Sequence, residues 1–230
     1  MPNLIRLDRL LANLGYASRS EAISIIRSGR VSHDHRVVRD PSERVSPAAV
    51  LLDDEALDHP LGVFVAVHKP AGYVCSHDDR DGQTVFSLLP RQWLDRTPRP
   101  EAVGRLDKDA TGLLLVTDDH VLIHRLTSPK QHVDKTYLVT LDRPLDPALV
   151  DVFAAGDLLL RGDTAPCLPA SLVVVADNQA ELTITEGRYH QVKRMFAACG
   201  YHVEALHRLR VGAWKLEDLP AGLWRDAPKD

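Results

Sequence analysis

The chain has 230 residues, 44% of them hydrophobic and 26% charged, which is enough to bury a real core in one large domain or in a small domain plus a larger one. No run of about 18 apolar residues occurs, so no membrane span is expected, and the opening MPNLIRLDRLLANLG lacks the apolar core and cleavage site of a secretory signal. Three widely spaced cysteines, Cys75, Cys167 and Cys199, offer neither a disulfide framework nor a CxxC zinc half-site, and a reducing cytoplasm fits them best.

The net charge of −4 argues against a nucleic-acid partner until its distribution is considered. Residues 1–47 carry eight arginines and five acids, and the first lysine is Lys69. An arginine-only head on an acidic body is the asymmetry of an RNA-gripping module joined to something else, although a solvated helical surface has the same composition. Leu7, Leu10, Leu11 and Leu14 form one apolar stripe of a short helix that Gly15 ends. Ser18 and Glu21 make a capping box for a second helix, with Ala22, Ile23, Ile25 and Ile26 on its buried side and Gly29 at its end. A short hairpin follows, turning at Asp34-His35, and the pair His33 and His35 lacks the third ligand that a metal site needs. The arginines of this head, among them Arg6, Arg9, Arg19, Arg27 and Arg30, can meet phosphate oxygens with their planar forks.

The order R-L-D-x-x-L-A-x-L-G, S-R-S-E-A and I-R-x-G-x-V resembles the S4-like RNA-binding domain over residues 6–50. One departure is the hairpin turn, where histidine stands at the place usually taken by glycine. Pro41, Pro47, Pro60 and the acidic run Asp53-Asp54-Glu55 mark a boundary region, with a strand at Val50–Leu52 still belonging to the head. The division expected is a head of residues 1–58 and a body of residues 59–230.

In the body, the runs VFVAV, LLLVT, TYLVTL, SLVVV, ELTIT and HVEAL read as strands. Helices are expected at Val85–Leu89, His120–Leu126, Pro147–Ala155 and His190–Cys199, with Asp146 capping the third and Gly156 and Gly200 ending the last two. The fold class expected is α+β, with a mixed, largely antiparallel sheet. No GxGxxG or GxxxxGK[ST] loop is present, so nothing points to a nucleotide cofactor. His120 and His124 have helical spacing for a metal, but no third ligand is suggested.

Chemistry concentrates in three segments. Gly104-Arg105-Leu106-Asp107-Lys108-Asp109-Ala110-Thr111-Gly112 sets a carboxylate on a short loop between two apolar runs, where a scaffold can fix it; an aspartate that merely caps a turn looks the same in isolation. Lys135-Thr136-Tyr137 opens a strand with a tyrosine, and Glu186–Met195 turns at a glycine into a basic helix. Together, G-R-L-D-x-x-x-T-G-L-L-L-x-T-x-D, K-x-Y-L-V and E-G-R-Y-H-Q-V-K-R-M resemble the pseudouridine synthases, and more narrowly the branch typified by the small-subunit ribosomal RNA enzyme. H-K-P-x-G-Y-V-C-S, H-R-L-T-S-P and L-H-R-x-R-V-G agree, so the resemblance runs along nearly the whole chain.

The resemblance implies an S4-like head on a pseudouridine synthase body that isomerises one uridine of 16S ribosomal RNA without cofactor or metal. It implies Asp107 as the catalytic carboxylate, Tyr137 as the residue that packs against the base, Lys193 as the cation paired with the aspartate, and Arg105 as the filler of the vacated stack. Ordinary glycoside hydrolysis needs two carboxylates and an activated water, whereas a reaction that retains its base needs one carboxylate in a dry pocket. His190 and Gln191 fit a structural role at a helix start at least as well as orienting Lys193 or touching RNA, and Asp109, Asp118 and Asp119 read as turn and cap residues. Cys75 and Cys199 read as small packed side chains. The alternatives are a large-subunit target, which a longer basic tail beyond Leu216–Leu219 would favour, a non-catalytic ribosome-assembly factor, and a glycosidase. With no coiled coil in the sequence, a monomer is expected.

Overall fold

The structure is a computed structural model and describes residues 4–228. It divides into two compact units. The first comprises the chain up to Phe64 together with Leu89–Glu101 and Thr117–Asp119, and the second comprises the rest.

The first unit opens with β1 (Ile5–Arg6), α1 (Leu7–Asn13) and α2 (Arg19–Arg27), followed by β2 (Val31–His33), β3 (Arg36–Val38), β4 (Arg44–Val45), β5 (Val50–Leu52) and β6 (Glu55–Ala56). The leucine stripe does what its spacing predicts: Leu7, Leu10, Leu11 and Leu14 are buried against Ala22, Ile26, Val31, Val38, Val45 and Val50. Both halves of the capping box form, Ser18 Oγ accepting from the Glu21 N–H and the Glu21 carboxylate accepting from the Ser18 N–H at 2.8 Å. Asp34 and His35 both adopt positive φ in the β2–β3 turn, so histidine takes the glycine place at some backbone cost.

The acidic run lies in a hairpin turn. Asp53 and Asp54, at φ 52° and 66°, form the tight turn between the paired strands β5 and β6, because aspartate tolerates the left-handed region. Within the same unit Trp93 is buried and its indole N–H donates to Asp58, while the buried Arg96 donates to the carbonyls of Asp58 and His59.

The large sheet is built from β7 (Phe64–Lys69), β8 (Glu101–Val103), β9 (Thr111–Thr117), β10 (Lys135–Leu141), β11 (Ser171–Ala176), β12 (Gln179–Ile184), β13 (Val203–Val211), β14 (Trp214–Lys215) and β15 (Trp224–Asp226), in the order β11-β12-β10-β13-β9-β7-β15 with β14 on β13 and β8 on β9. The fold is α+β, with a mixed sheet of mostly antiparallel pairs, and β13 runs parallel to β9. The helices are α3 (His120–Thr127), α4 (Leu149–Ala155) and α5 (Gln191–Ala198). Phe153 of α4 and Phe196 of α5 meet edge to face at 5.1 Å over Val139, Leu182 and Ile184.

Two predicted elements differ. Val85–Leu88 is a 3₁₀ turn rather than an α-helix, because the segment is too short to propagate and Pro90 follows it. Asp146 accepts from the Ala148 N–H at 2.9 Å, but the regular helix begins only at Leu149. Where β13 meets β9, Gly112 stands opposite Arg208, and a Cβ there would lie 2.3 Å from the Arg208 carbonyl oxygen. Only glycine permits this approach, which brings the strand after the polar loop hard against β13. Among the described residues no helix is long and apolar enough to cross a membrane.

Candidate active site

The second unit holds a cavity of about 410 Å³, within the range of roughly 300–1,000 Å³ usual for small-molecule sites. Asp107, Tyr137, His190, Lys193 and Arg208 all contribute to its lining. Residues that stand far apart in the sequence are therefore brought together by the loop before β9, by β10, by the turn before α5 and α5 itself, and by β13.

The loop is held by two buried cations. Arg208, 1% exposed, donates from Nε to the Leu113 carbonyl at 2.7 Å, from Nη2 to Gly104 at 3.1 Å and from Nη1 to Arg105 at 3.4 Å. Lys69, fully buried, donates from Nζ to the carbonyls of Ala110 at 2.6 Å, Pro70 at 3.1 Å and Lys108 at 3.2 Å. Arg208 thus holds the start of the loop and Lys69 its end. Burial pushes the Lys69 ammonium below its ordinary value, opposed by the field of Cys75 and of the carboxylates Asp109 and Asp107. Between these anchors the Leu106 N–H donates to Cys75 Sγ and the Ala110 N–H closes a turn on the Asp107 carbonyl.

Asp107 lies within reach of two groups from the turn and helix opposite. His190 Nε2 is 3.2 Å from Oδ1 and Lys193 Nζ is 3.5 Å from Oδ2. Lys193 is not dedicated to Asp107: its hydrogen bonds, at 2.7 and 2.8 Å, go to both oxygens of Asp109. The hydrogen bond from Lys193 holds the Asp109 carboxyl below its usual range. Asp109 is therefore a partner of the site lysine rather than a turn cap alone, and His190 touches the carboxylate as well as preceding α5. Gln191 is structural, its amide donating to Glu186 at 2.6 Å and its oxygen accepting from the Arg188 N–H at 2.9 Å. Tyr137 is largely buried in the cavity wall, and Arg105 projects from the loop as an exposed side chain. Lys135, half-buried nearby, donates to the Val133 carbonyl at 2.8 Å, and its ammonium is pushed down by burial and then by Arg208.

One family model, described as RNA pseudouridylate synthase, matches residues 63–198, and another, the S4 domain, matches residues 5–51. The chain is 44% identical over 226 residues to ribosomal small subunit pseudouridine synthase A of Escherichia coli (strain K12), covering 96% of this chain and 95% of the relative. The chain belongs to the RNA pseudouridylate synthase family. The pseudouridine synthase of the same name from Pasteurella multocida is 41% identical over 216 residues, covering 93% of this chain and 91% of that one. A solved structure entitled "Crystal structure of pseudouridylate synthase" superposes with a TM-score of 0.67 at 39% identity, covering 97% of this chain and 96% of that one. As a pseudouridine synthase the protein is an isomerase that binds RNA, with an S4 domain at its N-terminal end.

The S4 arginines are not equivalent. Arg6 grips the buried Asp8 through two hydrogen bonds at 2.8 and 3.1 Å, and Arg30 grips Asp53 through two at 2.5 and 2.8 Å. Arg19 Nε lies 3.7 Å from Asp8. The exposed side chains of Arg9 and Arg27 have no ion pair among the described residues. Sequence reasoning missed Asp109, Lys69 and Arg208 as site groups. The signal that could have found Arg208 was its place in β13, two residues from Leu206 and so on the same inward face.

Proposed function

We propose that the enzyme converts one uridine of small-subunit (16S) ribosomal RNA to pseudouridine, with Asp107 as the catalytic carboxylate. The observation that carries this reading is the placement of Asp107 in the cavity, on a loop fixed by Arg208 and Lys69 and faced by His190 and Lys193. In the reaction the N1–C1′ bond breaks, uracil turns over, C5 joins C1′, and the proton lost from C5 is balanced by one gained at N1. The product is an isomer of the substrate, with no change of oxidation state, so no cofactor or metal is required. Asp107 starts the cleavage at the ribose, with the Lys193 ammonium 3.5 Å from its Oδ2 as a fixed positive charge beside it. Tyr137 gives the flat wall against which the detached base packs. Arg105, exposed on the loop, occupies the stack that the flipped base leaves.

Residues 1–58 form the RNA-gripping domain and residues 59–230 the catalytic domain. Arg9, Arg19 and Arg27 bind phosphate in the former, and Arg6 and Arg30 reach phosphate only by leaving their carboxylates. Three free cysteines suit a reducing cytoplasm. The small-subunit target is supported by the names of the relatives, which match along nearly their full length. The enzyme works as a monomer on free or assembling RNA.

The test is to incubate the protein with unmodified small-subunit and large-subunit RNA, free and in particles, and to map pseudouridine by carbodiimide labelling and primer extension. A single new stop on small-subunit RNA is expected. Stops confined to large-subunit RNA would overturn the substrate, and none on either would overturn the function.

A further inference from the structure

The sequence around the third motif leaves one aromatic side chain without a role. Tyr189 is 77% exposed and contributes to the cavity lining. Its ring stacks on the His190 imidazole, with centroids 3.8 Å apart and planes 18° from parallel, and His190 Nε2 in turn touches Asp107. One face of the tyrosine is therefore covered by histidine, leaving the opposite face for a ligand.

The turn that carries Tyr189 is tied down by hydrogen bonds. His190 is held in the left-handed region at φ 49°, and the Tyr189 carbonyl accepts from Arg194 Nη1 at 3.3 Å. Arg188 donates to Glu186, to Asp163 and to the carbonyls of Ala165 and Pro166, and its own N–H is held by Gln191. The neighbouring cations are also engaged: Arg194 with Asp163 and Lys193 with Asp109. What this turn presents is an exposed π face, its own cations being engaged. Such faces bind unstacked bases with little ordering cost and little regard to base identity.

We propose that the open face of Tyr189 is a stacking platform for the nucleobase next to the target uridine. This rests on the pseudouridine synthase reading of the cavity. Arg105 fills the place the target base leaves, and Tyr189 at the rim takes the other face of the neighbouring base, with His190 as the second ring of the stack.

The test uses oligoribonucleotides with one central uridine, in which a neighbour on either side is intact, replaced by 2-aminopurine, or abasic. Dissociation constants are measured for the wild type, Tyr189→Ala and Tyr189→Phe. Tyr189→Ala should weaken binding about tenfold, as loss of one aromatic stack does, and Tyr189→Phe should bind as the wild type. One abasic RNA should show the same loss with the wild type and no further loss with Tyr189→Ala, and 2-aminopurine at that position should be quenched by the wild type but not by Tyr189→Ala. Unchanged affinity in Tyr189→Ala, or losses that multiply when the variant meets the abasic RNA, would overturn the platform. Pseudouridine formation on small-subunit RNA is followed in parallel. Its absence with the wild type would sink the catalytic reading, whereas binding data decide the platform.

Discussion

In the head, Arg30 and Arg36 are exposed and each faces a carboxylate open to water, Asp53 and Glu43, whereas in the larger unit Lys69 and Arg208 are buried and hydrogen-bond to backbone carbonyls. The first arrangement is one that water and salt compete with, and an exposed pair contributes about 0–1 kcal/mol. The second leaves positive charge in a low-dielectric interior without a carboxylate of its own, beside the loop that carries Asp107. The carbonyls satisfy the donors but do not cancel the charge, so the nearest available counter-charge includes the site carboxylates, and both Asp107 and Asp109 act on Lys69. One region holds its cations in exchangeable pairs suited to gripping and releasing phosphate. The other locks them to build a fixed field.

The sharpest way to break this contrast is to remove a locked cation. Arg208→Met would leave the carbonyls of Gly104, Arg105 and Leu113 without their donor. We expect a loss of about 3 kcal/mol in unfolding free energy and about a hundredfold in the rate of isomerisation, with RNA affinity nearly retained. Denaturant unfolding and single-turnover kinetics check it, and a rate within a few-fold of wild type would show that the loop does not need the clamp.

A smaller effect is expected where a head carboxylate is buried. Asp8 is 2% exposed, and the hydrogen bond from Arg6, with the Arg9 N–H and Arg19, holds its carboxyl below the ordinary 3.8. A lowered folded value means that its stabilisation is complete above the unfolded value and is lost as pH falls through the folded one. Asp8→Asn should therefore cost about 1–2 kcal/mol near neutral pH, and the gap from the wild type should close as the pH is taken below 3.8. A gap that stays constant through that range would contradict the assignment.

The smallest effects belong to the exposed arginines of the head. Replacing Arg9 or Arg27 by Ala should weaken RNA binding and lower the slope of log affinity against log salt by about one for each phosphate that the protein no longer neutralises. Arg30→Ala should change the slope less, because Arg30 must first give up Asp53. Titration of affinity against salt separates the two, and equal slopes for all three variants would erase the distinction.

Much of this was legible in the sequence because it is periodic or local. The leucine stripe of α1, the capping box of α2 and the valine-rich strands bury what their spacing says they bury, and the loop carrying Asp107, the tyrosine strand and the turn before α5 converge on one cavity. What was not legible depends on residues distant in sequence meeting in the fold. Whether Lys193 chooses Asp107 or Asp109 is settled by the turn after Asp107, which sets two carboxylates two residues apart toward one ammonium. The burial of Lys69 and Arg208 follows from strand pairing and from the close approach at Gly112, neither of which residue type reveals. The acidic run at Asp53-Asp54 reads as part of a boundary region in the sequence because a hairpin turn and a boundary share the same polar residues.

The most direct test of the account is a single-turnover comparison of wild type and Asp107→Asn on the mapped small-subunit RNA, with affinity measured on the same RNA. The substitution keeps the shape and removes the charge. The account predicts RNA binding within a few-fold of wild type and a rate reduced by about four orders of magnitude or more. Pseudouridine formed by Asp107→Asn at a rate within tenfold of wild type would contradict it.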